Sequence, residues 1–148
     1  MNKSIKTEII IDASSETVWN VLTDFENFPA WNPFIVRIEG QLQQGARLRN
    51  TLKSGSKTFV FKPVVLEVKP LHSFSWLGSL VVKGLFDGRH YFKIDELGPK
   101  QVKLTHGEEF SGLLSSAFLK KIGDDTRNNF VKMNQALKMR AEAMTIYN

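Results

Sequence analysis

The chain has no cysteine among its 148 residues. Disulfides, thiolate metal ligands and a thiol nucleophile are therefore excluded, and the composition is compatible with a reducing cytoplasm. No apolar run, including MNKSIKTEIIID at the start, is long enough for a signal peptide or a membrane span. There is no nucleophile elbow, Gly-rich phosphate loop or zinc-binding motif. A dense basic run is also missing, although 20 Lys and Arg against 15 Asp and Glu give a net charge of +5. Lys120, Lys121, Arg127, Lys132, Lys138 and Arg140 fall mostly on the solvent side of one helix, so nucleic-acid binding is not expected. Tyrosine is scarce: two residues, against eleven Phe and three Trp. Phe carries no polar handle, so such a set must fill a core or line an apolar pocket. Hydrophobic content of 42% and charged content of 24% are those of a globular protein. We expect a single ligand-binding domain over residues 1–148, cytoplasmic, with no metal and no cofactor.

The pattern along the chain alternates, then switches period. Residues 3–11 read as a strand. Ser14 or Ser15 then caps a helix whose apolar stripe is Val18, Val21, Leu22 and Phe25. Pro29 and Pro33 end that helix, and residues 28–34 read as an aromatic loop or short helical turns. Strands are expected at about 34–40, 46–53, 57–69, 72–77, 81–96 and 101–111, with 79–85 ambiguous between strand and loop. The last third is a helix: Phe118, Ile122, Thr126, Phe130, Met133, Leu137, Ala141 and Met144 recur at steps of three or four. Its length is about 40 Å, and it needs a large concave sheet to bury one stripe. Thr126 interrupts the stripe with a hydroxyl, and Gly123 predicts a kink or a need for space.

Two of these strands carry polar groups on an apolar face. Alternation aligns Phe86, His90, Phe92 and Ile94 on one, and Val102, Leu104, His106, Glu108 and Phe110 on the other. A hairpin at Gly98-Pro99-Lys100 places His90 opposite His106 or Glu108. Such groups are costly on a greasy wall unless something meets them. Three readings stay open: a structural network, orientation of the polar end of a hydrophobic ligand, and acid–base catalysis by His90, His106 and Glu108. A two-histidine, one-carboxylate metal site fits the residue types but needs convergence that alternation does not supply. Asp87 and Arg89 are expected as a surface pair, His72 as exposed.

The order strand, helix, aromatic loop, meander and long terminal helix is the helix-grip arrangement, an α+β fold with a curved antiparallel sheet of six or seven strands. IDASSETVWNVLTDFENFPAWNPFI resembles the N-terminal signature of the START-like (SRPBCC) superfamily, particularly its polyketide cyclase/dehydrase branch, through Val18-Trp19, Asp24 and Trp31-Asn32-Pro33. ALKMRAEAM and GEEFSG are similar to that branch's ending and its strand-to-helix transition. The resemblance implies a deep, mostly apolar cavity between sheet and long helix. The superfamily includes lipid carriers, hormone receptors, cyclases and co-chaperones. The preferred expectation is binding of a small hydrophobic or aromatic molecule, by a monomer or homodimer. It would enter beneath residues 25–34, where Phe25, Phe28, Trp31 and Phe34 plug or gate the cavity. Phe92, Leu104, Phe110, Phe130 and Met133 would enclose its body beside Thr126, with His90, His106 and Glu108 at its polar end. The alternatives are a cyclase, dehydratase or isomerase working without metal, and a protein-interaction module using the sheet's outer face.

Overall fold

The computed structural model describes residues 3–79, 87–113 and 115–146. Phe86, the ambiguous segment from residue 80 onward and the side chain of Phe118 lie outside the described residues. The elements in chain order are β1 (Ser4–Ile11), α1 (Ser15–Thr23), a 3-10 turn (Phe25–Asn27), α2 (Phe28–Trp31), β2 (Ile35–Glu39), β3 (Arg49–Ser54), β4 (Lys57–Phe61), β5 (Val64–Lys69), β6 (Ser73–Ser79), β7 (Asp87–Gly98), β8 (Gln101–Ser111) and α3 (Ser115–Ile146).

Ser14 caps α1 by accepting from the Thr17 amide, with Glu16 in the first turn at the positive end of the helix dipole. Val18, Val21 and Leu22 are its buried stripe. Phe25, Phe28 and Trp31 follow as short helical turns whose rings pack edge to face on one another. They fill the core and do not form a flap.

The strands form two antiparallel sheets among the described residues: five strands in the order β1-β8-β7-β6-β5, and three in the order β2-β3-β4. Eight strands appear in place of six or seven because the run at 57–69 is split. Pro63 lacks the N–H a continuous strand needs, and it separates β4 from β5. The sheets are stitched where the Gly45 and Leu48 amides donate to the Val65 and Pro63 carbonyls and the Val65 amide donates to Ala46. The result is one curved wall.

Gly112, at φ 104°, turns the chain from β8 into α3, a backbone state that favours glycine. The 32 residues of α3 extend about 48 Å. The helix packs on β1, β8 and α1, but unevenly. Phe130, Met133, Leu137 and Ala141 are fully buried. Ile122 and Thr126 are half-buried, and a methyl group built on Gly123 would meet nothing within 4 Å. At the other end Met144 is exposed, so the expected stripe stops at Ala141. The first half of the helix thus stands off the sheet, and the second half is clamped to it. Lys138 donates to the Ile10 carbonyl while Glu142 accepts from the Asp12 amide.

That division has a measurable consequence. Leu137→Ala is expected to cost about 2–5 kcal/mol in urea denaturation. Met139→Ala, at a position 74% exposed on the same helix, is expected to stay within about 0.5 kcal/mol. Equal losses at the two positions would contradict the clamp.

Candidate functional site

The β7–β8 ladder sets the site. Its register pairs His90 with Glu108 and Phe92 with His106. Between the two alternatives alternation allowed, Glu108 is the direct partner, and His106 reaches His90 diagonally. His90 is 6% exposed and stacks on Trp76, centroids 5.2 Å apart at 26°. His106 is 0% exposed, held between Phe130 (4.1 Å, 9°) and Phe92 (4.3 Å, 30°).

A chain of hydrogen bonds sets which ring nitrogens donate and which accept. The Thr7 hydroxyl donates its one proton to the His106 carbonyl (2.7 Å), so it accepts from Asn134 Nδ2 (2.9 Å). This orients the carboxamide with Oδ1 toward His106 Nδ1 (2.8 Å), which must then donate. Burial, and after it the neighbouring His90, holds His106 well below the usual imidazole value of 6.5, outweighing the Asn134 bond that favours the cation. A neutral ring protonated at Nδ1 offers a lone pair at Nε2. His90 Nε2 lies 2.7 Å from it and therefore donates. His90 Nδ1 is left, 3.4 Å from Glu108 Oε1.

A Cβ on Gly88 would fall on the Glu108 carboxylate, so the glycine leaves that flexible side chain room beside His90. Both ring nitrogens of His106 are spent inside the chain of bonds, and the two imidazoles face each other through Nε2. Among the described residues no group of three or more His, Asp or Glu side chains is placed to hold a metal ion.

His90 and Glu108 open onto a cavity of about 760 Å³. Its walls are the β3–β4 hairpin, the adjoining ends of β6, β7 and β8, and the first half of α3. Of the residues expected to surround a ligand, Phe34, His90, Glu108, Phe110 and Thr126 border this space. Phe25, Phe28, Phe92, Leu104, Phe130 and Met133 are buried in the core, His106 sits behind His90, and Trp31 packs on Phe28. Residues 54–57 border the cavity as well, and from the 25–34 segment Phe34 does, while Phe25 and Phe28 pack edge to face on each other.

The lining also includes residues that the sequence reading did not assign to a site, among them Trp76, Phe61 and Asn50. Trp76 on β6 stacks on His90 and borders the cavity. Phe61 lies at the strand break made by Pro63. Asn50 shares its face with Leu48 and Leu52, the same polar-among-apolar signal that singled out His90. On the outer face, Arg89 pairs with Glu109 at 3.2 Å and lies over the Tyr91 ring, while Asp87, expected at the surface, is buried. His72 is exposed.

The buried neutral imidazole couples stability to pH. Unfolded, His106 gains a proton as pH falls through about 6.5; folded, it resists until well below that value. The unfolded state then binds more protons, so stability declines with acidification, by up to about 1.4 kcal/mol per pH unit for this one group. Denaturation midpoints between pH 7.5 and 5 are expected to fall in the wild type. His106→Gln is expected to flatten that slope even though it is less stable at pH 7.5. An unchanged slope would show that position 106 does not carry the coupling.

Residues 3–142 match the family model described as polyketide cyclase / dehydrase and lipid transport. No curated protein matches the chain significantly. Solved structures with this fold include the Zhui aromatase/cyclase from Streptomyces sp. R1128 (14% identity, TM-score 0.77, covering 94% of this chain and 93% of that one). Another is a START superfamily protein from Mycobacterium smegmatis (22%, 0.73, 95% and 98%). A third is norcoclaurine synthase of Thalictrum flavum (15%, 0.74, 98% and 97%), solved with a transition-state analogue. Identities this low establish the helix-grip fold and nothing finer. Among the described residues no helix is long and apolar enough to cross a membrane. With the family model covering nearly the whole chain, the protein belongs to the polyketide cyclase/dehydrase and lipid transport family.

Proposed function

We propose that the chain binds a small hydrophobic or aromatic molecule in the cavity, its apolar body against Phe34, Trp76 and Phe110 and its polar end against His90 and Glu108. The observation that carries this reading is the pairing of a 760 Å³ hollow with a buried, hydrogen-bonded imidazole and a carboxylate on its wall. Ligand sites of this volume are mostly apolar with a few convergent polar groups, which is the composition found here. Apolar contact contributes about 25 cal/mol per Å² removed from water, less the cost of ordering. In this reading residues 1–148 act as one ligand-binding unit in the cytoplasm, where a chain without cysteine loses nothing to reduction.

The second reading is acid–base catalysis of a cyclase, dehydratase or isomerase type. It is favoured by the hydrogen-bond chain running from Thr7 to Glu108, which leaves His90 Nδ1 as a single exchangeable position beside the cavity. A base so placed and oriented can take a proton from a bound molecule and Glu108 can hold the charge.

Native mass spectrometry of the protein purified from its own host is expected to show a bound small molecule. Re-added at about a hundred times its Kd, that molecule is expected to stabilise the fold by about 2.7 kcal/mol, roughly 5–10 °C in Tm. Thr126→Trp, on the helix face over the cavity, is expected to abolish the shift with little loss of apo stability. His90→Ala is expected to weaken binding about tenfold. If His90→Ala retains binding while turnover of the bound molecule ceases, the catalytic reading replaces the binding one. An empty cavity from every host, with no thermal response to metabolite libraries, would refute both.

A further inference from the structure

We infer that the outer face of the three-stranded sheet is a docking surface for a protein partner that presents an acidic helix. The inference does not depend on what the cavity holds.

The β2–β3–β4 register sorts this sheet into two faces. Ile35, Asn50, Leu52, Phe59 and Phe61 fall on the side that borders the cavity. The opposite side carries Arg37 and Glu39 of β2, Arg49 and Lys53 of β3, and Val60 of β4. Arg47, bridged to Val64, and Lys62 continue the same alternation beyond the strand ends. Arg37, Arg47, Arg49, Lys53 and Lys62 are all exposed. Glu39 is the carboxylate among these five bases, and it is shared: Arg37 approaches one of its oxygens at 2.8 Å and Arg49 the other at 3.5 Å. Arg47 donates to the Lys62 carbonyl, which orients the guanidinium and leaves its charge uncompensated. Lys53 and Lys62 make no ion pair among the described residues.

The five-stranded sheet supplies the contrast. On its outer face Lys6 and Lys103 pair with Glu8, Lys69 with Glu67, Arg89 with Glu109 and Lys93 with Asp95. Solvation asks for no more than that balance. Bases gathered on one face repel each other, and an acidic surface laid over them relieves the repulsion.

Dimensions favour a helix as the occupant. From Arg47 to Lys53 the face runs about 20 Å, and three strands make it about 10 Å wide. That is the footprint of a helix of about 13 residues. Carboxylates at i and i+4 on a helix lie about 6 Å apart, against roughly 7 Å between alternate side chains of a strand. Arg47 and Arg49 can therefore each take one carboxylate in the two-bond fork that guanidinium forms. Val60, 46% exposed between these bases, offers the helix an apolar contact. A bilayer would find Val60 as the single exposed large apolar side chain of this face among the described residues, and stable attachment needs an inserting element beside the charge. A nucleic acid would find no aromatic ring on this face to stack on.

The test titrates four probes by fluorescence anisotropy or co-sedimentation: a hydrocarbon-stapled helical peptide with glutamate at every fourth position, its glutamine counterpart, a thymidine oligonucleotide, and vesicles of phosphatidylcholine and phosphatidylserine. The glutamate peptide is expected to bind the wild type more tightly than the other three. Arg47→Glu/Arg49→Glu is expected to weaken it about tenfold or more. Lys93→Glu/Lys103→Glu, the same change of net charge on the five-stranded sheet, is expected to stay within about twofold. Should the arginine variant fail to fold, Lys53→Glu/Lys62→Glu, which loses no ion pair, enters with the same expectation. In the host cell, a photo-cross-linker at position 60 is expected to join the chain to a protein segment rich in Asp and Glu, and one at position 93 is not. Four results would overturn the assignment: no binding of the glutamate peptide, an equal loss in the two charge-reversed variants, tighter binding of the oligonucleotide or the vesicles, or no acidic segment cross-linked at position 60.

Discussion

The arrangement of the site depends on one buried residue that does not touch the cavity, the neutral imidazole of His106. Its ring is flat against Phe130, and its Nδ1 is committed to Asn134. Charging it would place a cation with no counter-ion among aromatic rings, so the fold keeps it neutral. A neutral ring with a committed Nδ1 can only accept at Nε2, and that decides which nitrogen of His90 bears hydrogen. Thr7 on β1 and Asn134 on α3 thereby determine what β7 and β8 present to the hollow. The same bonds tie β1, β8 and α3 together at mid-core, so site geometry and packing share their supports.

The hollow follows from how α3 is held. Its second half is seated by four fully buried side chains, whereas at Ile122, Gly123 and Thr126 the helix lacks the bulk to reach the sheet. A cavity under such a helix does not require a weak fold, because the side chains that bury most, Phe130, Met133, Leu137 and Ala141, are not the ones that border the space. The β3–β4 hairpin, with Phe59 and Val60 left exposed, completes the wall from the opposite side.

Much of the fold was legible because it rests on periodicity. The long helix, the first strand, the capped α1 and the β7–β8 hairpin all follow from apolar spacing and turn residues, and the face shared by His90, His106 and Glu108 follows from alternation. The site was legible in its strand residues, Phe34 and Thr126, and not in the residues that support them from behind. Asn134 lies one position from Met133, and a stripe defined by apolar residues passes over it. Its partner Thr7 is distant in sequence, and only assembled coordinates bring them together. The 25–34 segment misled for a different reason. Aromatics in a proline-bounded loop fit a gate as well as a plug, and the choice depends on what they find to pack against. Here Phe25, Phe28 and Trp31 found each other. Asn50 was readable by the rule applied to His90, but a lone carboxamide between leucines lacks the chemical suggestiveness of two imidazoles.

The family description joins two tasks with different physical demands. Carrying a lipid asks for an apolar wall of sufficient area, and every polar group added to that wall costs desolvation without return. Directing or transforming a molecule asks for polar atoms at fixed places, supported from behind so that their orientation survives binding. In this chain the wall carries His90, Glu108 and Asn50, and the first of these is held by three further residues inside the core. Such support has no use for a hydrocarbon tail. It suits a molecule whose own polar atoms must meet the wall in one orientation, the kind of ligand proposed above.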